Sequence, residues 1–163
     1  MIRLACAQDA ASLAVLWNPW IRDTVITFNA VEKTAQDIAQ MIEDRNSAGH
    51  AVFVAQTDAQ TLLGFATYAQ FRAGVGYATC MEHTIVLAPG ARGKGTGRAL
   101  LAAVETHARD RGAHQMIAGI TAENAAARAF HAALGYAQIA IVPQAGFKFG
   151  RYHDLVLMQK FLT

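Results

Sequence analysis

One carboxylate interrupts an otherwise weakly polar stretch in the middle of the chain, Ala78-Thr79-Cys80-Met81-Glu82-His83-Thr84-Ile85-Val86-Leu87. A carboxylate among apolar residues is costly unless it has a partner or a chemical task. The bland reading is an edge-exposed or salt-bridged group. The chemical reading is a general base, because an amine is largely protonated near neutral pH and must lose a proton before it attacks. Strand alternation places Cys80, Glu82, Thr84 and Val86 on one face, with Met81, His83, Ile85 and Leu87 on the other. A second candidate is His131, inside Ala127-Arg128-Ala129-Phe130-His131-Ala132-Ala133-Leu134, where a histidine serves either packing or proton transfer.

The other segment rich in chemistry is the loop Ala91-Arg92-Gly93-Lys94-Gly95-Thr96-Gly97-Arg98. Its alternating glycines remove side chains and let backbone amides approach an anion. A helix starts here, and its N-terminal amides favour phosphate oxygens. Arg92, Lys94 and Arg98 add positive charge, so the loop suits a pyrophosphate. Neither the nucleotide-hydrolase P-loop spacing nor the dinucleotide fingerprint is present. Cys80 shares the face of Glu82, but no adjacent histidine activates it as a nucleophile. The six histidines form no metal-binding pattern, and no metal is expected.

Elements that would position these groups are legible in the periodicity. Asp9 reads as the cap of a helix carrying Ala10, Leu13, Ala14 and Trp17 on one face, interrupted at Asn18-Pro19. Thr34-Ala35-Gln36-Asp37 resembles a capping box ahead of Ile38, Met41, Ile42 and Arg45. Ala51–Gln56 and Thr61–Ala69 read as a hairpin, and Tyr77–Leu87 as a long strand. A helix with Leu100, Leu101, Val104 and Ala108 follows the glycine loop, then a strand Met116–Ile120 and a helix Asn124–Leu134. Tyr136–Val142 and Tyr152–Phe161 are the last strands. Paired strands followed by strand–helix alternation predict an α/β mixed sheet with helices on both faces, in a single domain spanning 1–163. Trp17 and Trp20 read as core or subunit contacts.

The totals bound the function. Net charge is +2 and charged residues make up 16%, so no field suited to duplex nucleic acid is expected. No run approaches the ~18 apolar residues of a membrane span, so no membrane partner is expected. Cys6 and Cys80 are isolated, consistent with a reduced, cytoplasmic protein.

Arg92, Gly95 and Gly97, placed after a strand and before a helix, resemble the acetyl-CoA motif of the GNAT superfamily of N-acetyltransferases. Asn124, then His131, then Leu134-Gly135-Tyr136 is similar to that superfamily's next motif. The resemblance implies the GNAT fold, with a mostly antiparallel central sheet. It also implies acetyl-CoA as co-substrate, with Ile85, Val86 and Leu87 along the pantetheine. Arg92, Gly93, Lys94, Gly95, Thr96, Gly97 and Arg98 would surround the pyrophosphate, with Asn124 also on the cofactor side.

The resemblance narrows to the phosphinothricin acetyltransferase branch. It is carried by Thr27-Phe28, Phe71-Arg72 to Tyr77, Glu82-x-Thr84, His131 and Gly146-Phe147-Lys148-Phe149-Gly150-Arg151-Tyr152-His153-Asp154. Ala78, Cys80 and Val86 depart from that branch, which has Arg, Thr and Tyr there. Membership implies Glu82 and His131 as the catalytic pair and a homodimer. Phe28, Arg72, Ala73, Gly74, His83 and Thr84 would contact a small-molecule amine, with Arg72 opposite a substrate carboxylate. The expected reaction is direct acetyl transfer to the amine of phosphinothricin, methionine sulfoximine or methionine sulfone. Two rivals are transfer to another amine (protein N-terminus, polyamine, aminoglycoside) and a non-catalytic acyl-CoA sensor.

Overall fold

The apolar runs assemble into one seven-stranded sheet in the computed structural model, which describes residues 1–163. The strands are β1 (Ile2–Leu4), β2 (Val52–Gln56), β3 (Leu62–Gln70), β4 (Cys80–Leu87), β5 (Gln115–Thr121), β6 (Ala137–Lys148) and β7 (Arg151–Phe161). Their spatial order is β1-β2-β3-β4-β5-β7-β6, antiparallel throughout except between β4 and β5. Four helices cover the sheet: α1 (Ala10–Asp23), α2 (Ala35–Ser47), α3 (Thr96–Asp110) and α4 (Ala125–Ala132). On one face α1 and α2 pack over Val52, Val54 and Phe65. On the other, Leu100 and Val104 of α3 meet Tyr68, Met116 and Ile120. The mixed sheet with helices on both faces is the architecture expected from the sequence.

Local readings differ from the structure at four places. Pro19 does not end α1. It forfeits one bond, to the carbonyl of the preceding turn, whose Val15 is solvent-exposed, while Trp17 and Ile21 on the opposite side are buried. Asp9 does not cap α1 through its side chain. Its carboxylate instead takes both forks of Arg3, at 2.7 and 2.8 Å, and the Cys6 amide at 2.9 Å. β4 starts at Cys80, because Gly74 (φ 110) introduces a 3-10 turn at Val75–Tyr77. β6 runs on to Lys148, past a register shift between Val142 and Gly146 that includes Gln144 at φ 54. The Thr34–Asp37 capping box forms as read, with both reciprocal bonds present.

The feature that positions the site is a parting of strands. β4 and β5 pair for only three residues, Cys80 with Gln115, Met81 with Met116 and Glu82 with Ile117. Beyond them β4 stays with β3 as far as Leu87, and β5 stays with β7 as far as Thr121. Along β4, Cys80 accepts from Phe71 and Ala88 donates to Leu63, both at 2.9 Å. That register turns the even-numbered backbone groups toward β3. The C=O of His83 and the N–H and C=O of Ile85 and Leu87 therefore face the gap, where no strand pairs with them; the His83 N–H is the last on β4 to meet β5, at Ile117.

Candidate active site

Glu82 stands at the fork where the two strands separate. Its carboxylate lies directly over Gly119 of β5, where an added Cβ would come within 2.9 Å of Oε1. It is half-buried and makes no hydrogen bond or ion pair within the protein, so burial raises its pKa above the usual carboxylate range. A paired structural carboxylate, the bland reading, is not what the fold holds here.

The gap opens into a cavity of about 250 Å³ whose lining comes from both sheet faces and from the segment after α1. It brings together Phe28, Glu82, His83, Thr84, Ile85, Val86, Leu87, Arg92, Asn124 and His131. Arg72, Ala73 and Gly74 are not among the lining residues. They are exposed, held by Gln70 Nε2, which donates to the carbonyls of Arg72 and Gly74, and the Arg72 guanidinium lies 5.9 Å from the Tyr77 ring. The expectation that Arg72 faces a substrate carboxylate in this cavity is thus not met within one chain: a β3–β4 loop folded on itself carries it elsewhere.

His83 and His131 form a closed pair. His131 Nδ1 lies 2.7 Å from the Ala127 carbonyl and therefore carries the proton; its Nε2 lone pair then faces His83 Nε2 at 3.2 Å, which must donate. Both rings are buried, with His83 pushed down to about 3 by burial and by its neighbour, and His131 lowered chiefly by burial. Two neutral rings result. His83 Nδ1 is the one ring nitrogen of the four without a protein partner. Tyr136 packs edge-on against both rings and donates to Glu105 at 2.9 Å, which explains the aromatic residue after Gly135.

The glycines of the basic loop are needed for two different reasons. Gly93 and Gly95 adopt φ of 73° and 81°, a region most side chains avoid. Gly97 is buried instead: a Cβ there would meet Leu87 and Phe130 at 3.1 Å, so its absence seats α3 against β4 and α4. No side chain caps α3, so its first-turn amides are without a side-chain acceptor. Arg92 stacks over Trp20 at 4.5 Å. Lys94, Thr96 and Arg98 lie beside it in the loop but outside the cavity lining. Asn124 caps α4, its side-chain oxygen accepting from Ala127 N at 3.0 Å.

Several contributors were missed from the sequence. Trp17 is in the core as read, edge-on to Phe65 with Trp20 packed beside that cluster, but both tryptophans also line the cavity, as do Gly119 and Thr121. The run Gly146–Asp154 works one layer further out. Lys148 is buried and donates to the carbonyls of Ile21 at 2.6 Å and Thr27 at 2.8 Å. His153 stacks on Phe28, and a Cβ on Gly146 would meet that ring at 2.4 Å. The run thus holds the Thr27-Phe28 wall in place. A lysine inside a strand with glycine two residues before and after it was the available signal.

Residues 17–136 match the Acetyltransferase (GNAT) family. An L-amino acid N-acyltransferase of Escherichia coli is 35% identical over 97% of this chain and 91% of its own length. An L-methionine sulfoximine/L-methionine sulfone acetyltransferase of Salmonella typhimurium is 34% identical over 97% and 92%. The crystal structure of a phosphinothricin acetyltransferase from Sinorhizobium meliloti in complex with acetyl-CoA superimposes with a TM-score of 0.93 at 30% identity, covering 99% of this chain and 87% of that one.

Proposed function

Since the chain belongs to the acetyltransferase (GNAT) family, we propose that it moves the acetyl group of acetyl-CoA onto the α-amine of a small amino-acid-like substrate of the phosphinothricin, methionine sulfoximine or methionine sulfone type. The observation that carries this reading is Glu82, an unpaired, half-buried carboxylate at the fork of β4 and β5, facing a cavity. The named relatives and the acetyl-CoA complex support the same chemistry.

On this reading the uncapped start of α3 and the Gly93–Arg98 loop take the pyrophosphate, and the gap-facing backbone of Ile85 and Leu87, with the His83 carbonyl, takes the pantetheine as an added strand. The substrate ammonium gives a proton to Glu82, and the free amine attacks the thioester carbonyl in a ternary complex. The amide that polarises that carbonyl belongs to Leu87 or Ile85; that of Val86 is turned toward β3. Carbon–sulfur cleavage then releases coenzyme A. Of the two protons the ammonium loses, one ends on the thiol and the other in solvent. His131 supports the site through His83 rather than as a direct donor, because both of its nitrogens are occupied.

We extend the proposal to a homodimer. Its support is the edge strand β6, its hairpin partner β7 and the turn between them, which expose Ile139, Ile141, Phe147, Phe149 and Tyr152 at 50–61%. Sedimentation at micromolar concentration tests it, and a monomer mass rejects it.

The test of the activity is thiol release with methionine sulfone and acetyl-CoA. Glu82→Gln is expected to lower kcat by roughly 10²–10⁴, the range of a general base. Undiminished turnover by the variant would remove Glu82 from that role.

A further inference from the structure

Thr121 ends β5 inside the cavity lining, is 3% exposed, and its Oγ1 has no hydrogen-bond partner in the protein. A buried hydroxyl without a partner is uncommon and calls for an explanation. Asn124 N bonds the backbone oxygen of Thr121, so the α4 cap makes no use of the hydroxyl. A valine of the same shape would serve packing equally well, without a polar group to desolvate.

Its placement relative to Glu82 is informative. Gly119 and Thr121 are alternate residues of one strand, so they share a face and lie ~6.7 Å apart. The Glu82 carboxylate sits over Gly119. An amine bound to Glu82 therefore has the Thr121 hydroxyl one residue-pair further along β5. Two hydrogen bonds of ~2.8 Å, joined by the ~2.7 Å between an amine nitrogen and an oxygen on the neighbouring carbonyl carbon, cover that separation along a bent path. An oxygen further out on a substrate side chain overshoots it. Arg72, the expected carboxylate partner, does not line the cavity.

We propose that the Thr121 hydroxyl recognises the carbonyl oxygen on the carbon adjacent to the reacting amine, so that the site selects α-amino acyl compounds over simple amines. This rests on the acetyl-transfer reading with Glu82 as base. The recognised oxygen belongs either to a free α-carboxylate or to the first peptide carbonyl of an N-terminal residue.

The experiment compares Thr121→Val with the wild-type protein on three amines: methionine sulfone, its α-amide and its decarboxylated amine. The last is followed by turnover or, if turned over slowly, by competitive inhibition. The expected result is a tenfold to hundredfold loss of kcat/KM on methionine sulfone, about what one lost hydrogen bond to a charged group produces, carried mainly by KM. The decarboxylated amine and the KM for acetyl-CoA change little, and Thr121→Ser recovers most of the loss. An equal loss on the amide assigns the contact to the carbonyl common to both sources; a loss confined to the acid assigns it to the carboxylate. No loss on either, or the same loss on all three amines, overturns the proposal. Failure of the wild-type protein to acetylate or bind any of the three overturns the acetyl-transfer reading, and this inference with it.

Discussion

Asp9, at the turn into α1, and Glu82, where β4 and β5 part, are both carboxylates drawn out of bulk water, yet the fold treats them in opposite ways. Asp9 is 8% exposed and saturated: Arg3 grips both oxygens and the Cys6 amide adds a third donor. Those bonds hold its pKa down to about 2. Glu82 has lost part of its hydration and received nothing from the protein in exchange, and its pKa is raised. A buried charge that is fully partnered stabilises a local structure; one left unpartnered stores free energy that a substrate's positive charge can release. The difference lies in neighbours, since the functional group is the same.

The largest expected effect separates activity from stability. Glu82→Gln removes most turnover as stated above, and its melting temperature stays at or slightly above that of the wild-type protein, because an unfavourable charge is deleted. Asp9→Asn is the mirror image, with turnover near wild type and a loss of roughly 1–3 kcal/mol of stability, as for a broken charge-assisted hydrogen bond. At about 2–4 °C per kcal/mol this is visible by calorimetry. A melting temperature that falls further for Glu82→Gln than for Asp9→Asn would break the comparison.

A smaller effect comes from Gly119→Ala. The added methyl falls 2.9 Å from Glu82 Oε1, so the carboxylate must shift while strand and core stay in place. We expect kcat to fall about tenfold, in line with the sensitivity of catalysis to small misplacements, with circular dichroism unchanged. Unaltered kinetics would mean that the carboxylate works from a different rotamer.

The smallest effects are in pH dependence, with opposite signs. Asp9 has a depressed pKa in the folded state. Its contribution is complete above the ordinary value of 3.8 and disappears as pH falls toward about 2. Glu82 has a raised folded pKa, so its ionisation costs stability at neutral pH, and that cost is relieved as pH falls through the raised value. The acid limb of kcat/KM should accordingly lie above the usual carboxylate range, while acid unfolding of Asp9→Asn should flatten between about pH 4 and pH 2. Coincident behaviour of the two carboxylates in both assays would contradict the assignment.

Much of the fold was legible because it depends on local patterns. The capping box at Thr34 and Asp37 and the apolar stripes of α2 and α3 fall where their spacing puts them. The three-residue β1 was not legible, being too short for periodicity to register. Pro19 was misread because a local rule against proline was outweighed by burial of Trp17 and Ile21 one turn apart. Within the site, Glu82 and the basic loop were conspicuous by residue type, whereas Gly119, Thr121 and the tryptophans carry no such mark.

What the sequence determined alone is which groups are available: one carboxylate in an apolar strand, a glycine-rich basic loop ahead of a helix, and two histidines within reach of the same sheet. These follow from composition and period, which are properties of neighbours along the chain. Tertiary structure decided which of those groups are spent on one another and which stay open. His131 is occupied by Ala127 and His83, Arg72 lies away from the cavity, and Glu82 and Thr121 are left unpaired. The physical reason is that β4 and β5 part after three paired residues, and only the packing of the whole sheet determines where that parting falls.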